Sequence, residues 1–202
     1  DGVSNLTRRD AEAVVRTSTA HVANAARNTV WEANTEVVKG YKWVSTLDGR
    51  TSPQCQALDG KKFDLGEGPL PPIHIRCRST TVADLDDGLD FLDEGATRAA
   101  KDGPVSADET YYDWLKKQSE EFQDDTIGPE RGNLLRNGGL TSKQFGDLQL
   151  DKNFSPLTLA EMRKKQPLAF ARATPGDAYA LSPQQKIDLK ARQGQPVTGF
   201  TL

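Results

Sequence analysis

Apolar residues at Val15, Val22, Ala26, Val30, Ala33 and Val37 follow one another at spacings of three, four and seven. That period predicts one long amphipathic helix over residues 7–39. Thr7 with Asp10 reads as an N-cap with an acid in the first turn, and Gly40 reads as the stop. The stripe is thin, built of alanine and valine, so such a helix needs a partner surface to be stable. His21 falls off the stripe and reads as a solvent-facing residue.

The period then changes to two. Residues 41–46 alternate aromatic and polar side chains and read as a strand. Asp48-Gly49 and Asp59-Gly60 are turn signals, the second just ahead of a short strand over 61–63. Residues 66–72 form a proline-rich loop, and 73–82 supply a closing strand, giving a small antiparallel sheet. Residues 84–94 are acidic and leucine-bearing. Gly88 stands fifth from Asp84, where a calcium-binding helix-loop-helix needs its glycine sixth, so this stretch reads as a solvated linker.

Helical patterning returns at Ser106, whose Glu109 three residues on predicts a capping box. Tyr111, Trp114, Leu115, Gln118 and Phe122 share one face, and Gly128-Pro129 ends the run. Short helices are expected over 131–136 and over 159–165, the latter capped by Thr158 with Glu161. Ser182-Pro183 with Gln185 opens a last short helix that Gly194 closes. The expected fold class is α+β: mainly helical, with a long N-terminal helix, one small antiparallel sheet clamped by a Cys/His cluster, and an extended C-terminal arm. The expected divisions are 1–83 for helix and sheet, 84–105 for the linker, 106–166 for the helical region and 167–202 for the arm.

Hydrophobic residues make up 36% of the 202, so the core is modest and much of the chain is surface. The formal net charge of −3, from 26 basic and 29 acidic side chains, argues against a dedicated nucleic-acid binder. Arg8-Arg9, Arg76 with Arg78, and Arg163-Lys164-Lys165 are short basic spots, read as solvated surface. Any DNA contact through them is expected to be non-specific and salt-sensitive. No apolar run approaches the roughly 18 residues of a membrane span, and no secretion signal opens the chain. Beginning at Asp1 without a methionine, the chain reads as part of something longer. GxSxG, the phosphate-cradling GxxxxGK[ST] and HExxH are all missing.

Chemistry concentrates in residues 46–78, which hold Cys55, His74 and Cys77. Zinc takes soft or imidazole ligands, normally four at tetrahedral corners. These residues supply three, leaving Asp48, Asp59 or water for the fourth. A Cys55–Cys77 disulfide and a pair of free thiols hydrogen-bonded by His74 are the other two readings. Each makes the segment a clamp for the sheet.

The same segment resembles the phage Mu F-like minor head protein family, also called phage head morphogenesis proteins. The pattern is carried by Tyr41, Trp43, Thr46, Asp48, Arg50-Thr51, Cys55, Leu58-Asp59-Gly60, Pro71-Pro72, His74 and Cys77-Arg78. A downstream block resembles the family too, at Trp114-Leu115, Gln118, Gly128, Arg131, Leu134, Gly138-Gly139 and the Leu157–Glu161 stretch. Many relatives carry a further cysteine where this chain has Ser52. The resemblance implies a minor head protein of a tailed bacteriophage or prophage, located in the virion at the head and portal vertex after assembly in the host cytoplasm. It implies the portal protein and other head proteins as partners, several copies per particle, contact with packaged DNA and no membrane. A role in capsid assembly, DNA packaging or DNA delivery follows. The competing expectation is a zinc-dependent nucleic-acid-acting effector or nuclease delivered with the genome.

Overall fold

The computed structural model describes residues 7–174, 176 and 181–192. The chain divides into two compact units after Tyr111. No described helix is long and apolar enough to cross a membrane.

The first unit opens with helix α1, Arg8–Glu32. Its start is the one the sequence predicts: the Thr7 hydroxyl accepts from the Asp10 amide at 3.2 Å, and the Asp10 carboxylate accepts from the Thr7 amide at 3.2 Å. Its end is not. The helix stops seven residues short of the expected Lys39, capped at Ala33, where the Asn34 side chain takes the Val30 carbonyl at 2.6 Å. Gly40 lies inside the next strand, and a Cβ there would stand 2.2 Å from the Phe63 carbonyl oxygen. Glycine at this position serves close strand approach, not helix termination.

Strands β1 (Val38–Val44), β2 (Lys62–Asp64) and β3 (Thr80–Leu85) form an antiparallel sheet in the order β2-β1-β3. Tyr41 pairs with Phe63 on one side and Ala83 on the other. The expected closing strand over 73–82 is displaced: only its last three residues enter β3, and 73–79 is loop, where Arg76 holds a left-handed φ of 60°. Helix α2 (Pro53–Leu58) falls between the two Asp-Gly turns and is a new element; Ser52 caps it and Pro53 opens it.

Helix α1 packs on the sheet through its polar side. Trp31 joins Val38 and Tyr41 in a small core. Arg27 donates to Thr80 Oγ1 at 2.7 Å and to Asn24 Oδ1 at 3.0 Å. The valine stripe points the other way, with Val15 63%, Val22 65% and Val30 59% exposed.

Residues 84–105, read from the sequence as a linker, belong to this unit. A 3-10 helix spans Asp87–Asp93, and β4 (Thr97–Ala100) with β5 (Gly103–Ser106) makes a hairpin across the two-residue Lys101-Asp102 turn. Ser106 ends β5 and opens no helix; its hydroxyl accepts from the Asp108 amide at 3.3 Å. The hairpin is tied to Leu47, whose amide donates to the Ala99 carbonyl at 3.2 Å and whose carbonyl accepts from Lys101 at 2.8 Å.

Two carboxylates fix the centre of this unit. Asp59 is buried and accepts from the Ser45 amide at 2.6 Å, from the Tyr111 amide at 2.7 Å and from both terminal nitrogens of Arg98. Arg98 also donates to the carbonyls of Ser45 and Glu109. Burial pushes the Asp59 carboxyl up, and Arg98 with the two amides opposes it. Four N–H donors around an acceptor-only group fix the ionised form. Asp48 is gripped by both Arg78 terminal nitrogens at 2.6 Å, and Arg50 N and Thr51 Oγ1 donate to it as well. The Arg78 hydrogen bond holds the Asp48 carboxyl down at about 2.

The described part of the second unit is mainly helical. Helix α3 (Tyr111–Lys116) leads into it, followed by α4 (Glu120–Ile127), α5 (Pro129–Asn137), α6 (Ser142–Asp147), α7 (Leu159–Lys165), α8 (Pro167–Ala173) and α9 (Pro183–Arg192). The run expected to reach Phe122 unbroken is cut at Ser119, which caps α4. Thr158 and Glu161 form the predicted capping box on α7. Leu134, Leu135, Phe145, Met162 and Phe170 fill the core, with Tyr112 edge-on to Phe145 at 4.8 Å. Helix α8 adds structure where the sequence predicts the start of an arm, because Ala169, Phe170 and Ala171 are buried. Ser182 and Gln185 cap α9 reciprocally as expected. The expected Gly194 stop and the rest of the arm's end lie outside the described residues.

Arg98→Met leaves a buried carboxylate without its counter-charge and is expected to cost about 3–5 kcal/mol. Guanidinium denaturation of the full chain reads this, and a loss under about 1 kcal/mol would show the pair to be dispensable. Asp48 has a depressed pKa, so its contribution is complete above the ordinary value of 3.8 and is lost as pH falls towards about 2. The stability gap between wild type and Asp48→Asn should therefore close between about pH 4 and pH 2. Urea midpoints measured across that window would contradict the assignment if the gap stayed constant.

Candidate metal centre

Helix α2 and the loop before β3 bring Cys55, His74 and Cys77 together. Ser52 caps α2 through the Cys55 amide at 3.3 Å, which places the Cys55 side chain on the buried face. Cys55 and Cys77 are 1% and 6% exposed, and His74 is half-buried. The Cys77 amide donates to the His74 carbonyl at 3.2 Å, a tight turn that points both side chains the same way. The loop is held to α1: the Arg76 amide donates to Thr17 Oγ1 at 3.0 Å, and the Arg76 guanidinium to the Arg9 carbonyl at 2.7 Å. These contacts offset the roughly 1–2 kcal/mol that a left-handed non-glycine residue costs.

One ligand atom from each of the three residues lies within 4.8 Å of the others. Cys55 Sγ is 3.7 Å from Cys77 Sγ and 3.2 Å from His74 Nε2. Two sulfurs on a tetrahedral ion, each about 2.3 Å from it, stand about 3.7–3.8 Å apart, so the sulfur spacing fits. His74 Nδ1 lies 2.9 Å from the Ile75 carbonyl oxygen. Only an N–H on Nδ1 makes that a hydrogen bond, which leaves the Nε2 lone pair facing the thiols. This is the tautomer and the backbone support that a metal-binding imidazole requires.

The donor set could therefore hold a metal ion. Its fourth side is occupied by Ser52, whose hydroxyl lies 2.9 Å from His74 Nε2. Asp48, the carboxylate the sequence offered as a further ligand, is not in the group; Arg78 takes both of its oxygens. Asp59 is likewise committed, to Arg98.

Both cysteines are free thiols, and 3.7 Å is far from the roughly 2.05 Å of a disulfide. The hydrogen bond between the two thiols lowers the Cys77 pKa, and the same bond together with burial pushes Cys55 up. Ser45 and Ser79 line the other side of the pair, with Ser45 Oγ donating to the Cys55 carbonyl at 2.9 Å and lying 2.9 Å from Ser79 Oγ. Neither serine stood out in the sequence, since nothing in local spacing marks them. His21 is exposed on α1 and takes no part.

Neither a curated protein nor a solved structure matches the chain. Residues 2–82 match a family model described as Phage Mu protein F like protein. The matched stretch contains α1, β1, α2, β2 and every member of the Cys–His group, and it ends inside β3. Over residues 2–82 the chain is therefore similar to the phage Mu F-like family, as its Cys–His segment suggests.

Proposed function

We propose that this chain is a minor head protein of a tailed phage or prophage that binds the portal vertex and assists head assembly, DNA packaging or DNA delivery, without turning over a substrate. The observation that carries this reading is the outward valine face of α1. Val15, Val22 and Val30 are each about three-fifths exposed, within the segment that matches the head morphogenesis family. An apolar stripe on the solvent side of a helix does nothing for its own unit and marks an interaction surface. Helix α1 supplies a groove-filling face of the kind that amphipathic helices present to partner proteins.

The Cys–His group is read as a structural zinc site. Two thiols and an imidazole are the donors zinc favours over harder cations. Cys55 and Cys77 would hold the ion with His74, and Ser52 or water would complete the shell. Bound there, zinc would join α2 to the loop that carries Arg76 and Arg78, so it stiffens the platform that presents α1. Among the described residues no carboxylate joins the group to serve as a general base, which favours a structural over a catalytic ion.

Co-sedimentation with assembled portal from the same phage tests the binding role. Wild type should pellet with portal at defined stoichiometry, and Val22→Asp with Val30→Asp should abolish this while leaving the thermal midpoint unchanged. Absence of portal binding by a folded full chain would overturn that role. DNA cleavage that His74→Ala abolishes would replace it with the nuclease reading. For the metal, purified protein should contain one zinc per chain, released on chelation with a drop in thermal midpoint and missing from Cys77→Ser. A protein without zinc, both of whose thiols titrate freely, would rule the site out.

A further inference from the structure

Strand β3 separates two patches of opposite charge. Just before its start, Arg76 and Arg78 join Arg16 and Arg50 around a groove of about 780 Å³ beside α1. Four arginines line that groove against one acid, Glu12, in a chain whose overall charge is −3. Arg50 and Arg16 are the accessible pair, with side chains 84% and 69% exposed. Asp48 neutralises part of the charge from below through Arg78 and Arg50. The groove is apolar as well as basic, since Val15, Ala20 and Ala23 line it along the helix.

From the end of β3 onward the chain is the reverse. Residues 84–94 carry six acids and no base. Lys62 pairs with Asp84 and Lys39 with Asp86, but Asp93 and Glu94 stay exposed at the far end. Between the acids stands Phe91, a large aromatic side chain that is 66% exposed at the mouth of a shallow cavity it shares with Leu85 and Leu89. The six residues of β3 span about 20 Å at 3.3 Å each. A strand paired in a sheet cannot fold back, so the two patches of one chain cannot meet.

We propose that the arginine groove beside α1 receives the acidic segment around Phe91 from a second copy of this chain, joining copies head to tail. Charge and shape both match: exposed arginines face Asp93 and Glu94, and Phe91 enters the apolar wall formed by Val15, Ala20 and Ala23. The contact is heterologous, with a different surface contributed by each copy, so it extends into a ring or an open array and does not stop at a dimer. Charge complementarity steers the encounter and fixes the polarity, so association falls as salt rises. A nucleic acid would satisfy the arginines but leave the apolar wall and Phe91 unused.

Sedimentation velocity of the full chain tests this, at about 50 mM and about 500 mM salt over a range of protein concentrations. The expected result is concentration-dependent growth past a dimer at low salt, weakened about tenfold or more at high salt. Arg16→Glu with Arg50→Glu should be monomeric, and so should Phe91→Ser with Asp93→Lys and Glu94→Lys. Mixing the two variants should restore association, because each supplies the partner the other's reversed surface needs. All substituted positions are exposed, and unchanged thermal midpoints confirm that each variant folds. A monomer at both salts overturns the proposal. Association that survives either variant, or that stops at a dimer and is lost on Val22→Asp, assigns the contact to α1 instead. A wild type that stays monomeric while the arginines retain duplex DNA assigns the groove to nucleic acid.

Discussion

Asp59 is the group on which the first unit depends. Its carboxylate accepts the amide that follows β1, the amide that opens α3 and the fork of Arg98 from the hairpin. Removing it would leave three sets of buried donors without an acceptor, each costing about 1–3 kcal/mol. Strand, helix α2 and hairpin therefore meet in one relative placement, the one that satisfies a single acceptor-only group. Much of what lies buried around it is polar: Ser45, Thr51, Gln56, Ser79 and Thr81. Apolar packing on Trp43, Leu47 and Leu58 is non-directional and discriminates weakly among registers. A buried, fully paired polar node does the choosing, at some expense of net stability. Because Asp59 also caps α2, the same node sets where Cys55 stands.

The orientation of α1 follows from this polar character. Its inward side presents Asn24 and Arg27 to Thr80 and Thr81, with Trp31 as the main apolar anchor. That contact is made by Thr80 and Thr81 at the start of β3, which Asn24 and Arg27 can satisfy and valines cannot. Burial yields about 25 cal/mol per Å² only when water is removed, so the exposed valines contribute nothing to this unit. Under the proposed portal contact, a partner surface covers them.

This is also where the sequence could mislead. Periodicity showed that α1 exists and located its capped start at Thr7, because both are local properties. It could not say which side faces inward, since that depends on β3, some fifty residues later. The same limit explains Gly40, which reads locally as a helix stop but is required by the approach of the Phe63 carbonyl. Cys55, His74 and Cys77 were legible as one group because soft ligands are rare in this chain and the family pattern orders them. The fate of Asp48 was not legible, as its partner Arg78 lies thirty residues away. Helix α2 had a readable signal in Ser52-Pro53, hidden between two strong turn signals. In the second unit, α7 and α9 were visible through their caps. Helix α8 was missed because Gln166 precedes Pro167 and offers no side-chain cap.

The Cys–His group and the arginine groove share a wall, for Cys77 lies between Arg76 and Arg78 and lines the groove itself. The loop carrying all three has one residue in a left-handed conformation and is fastened at separate points to α1, to Asp48 and to Cys55. A loop so fastened loses little conformational entropy when a partner lands on it, and that preorganisation raises affinity without adding a contact. Loosening the Cys–His clamp would return that entropy cost to the binding step. The clamp and the surfaces beside it are therefore coupled through rigidity, even though no ligand of the group needs to touch a partner.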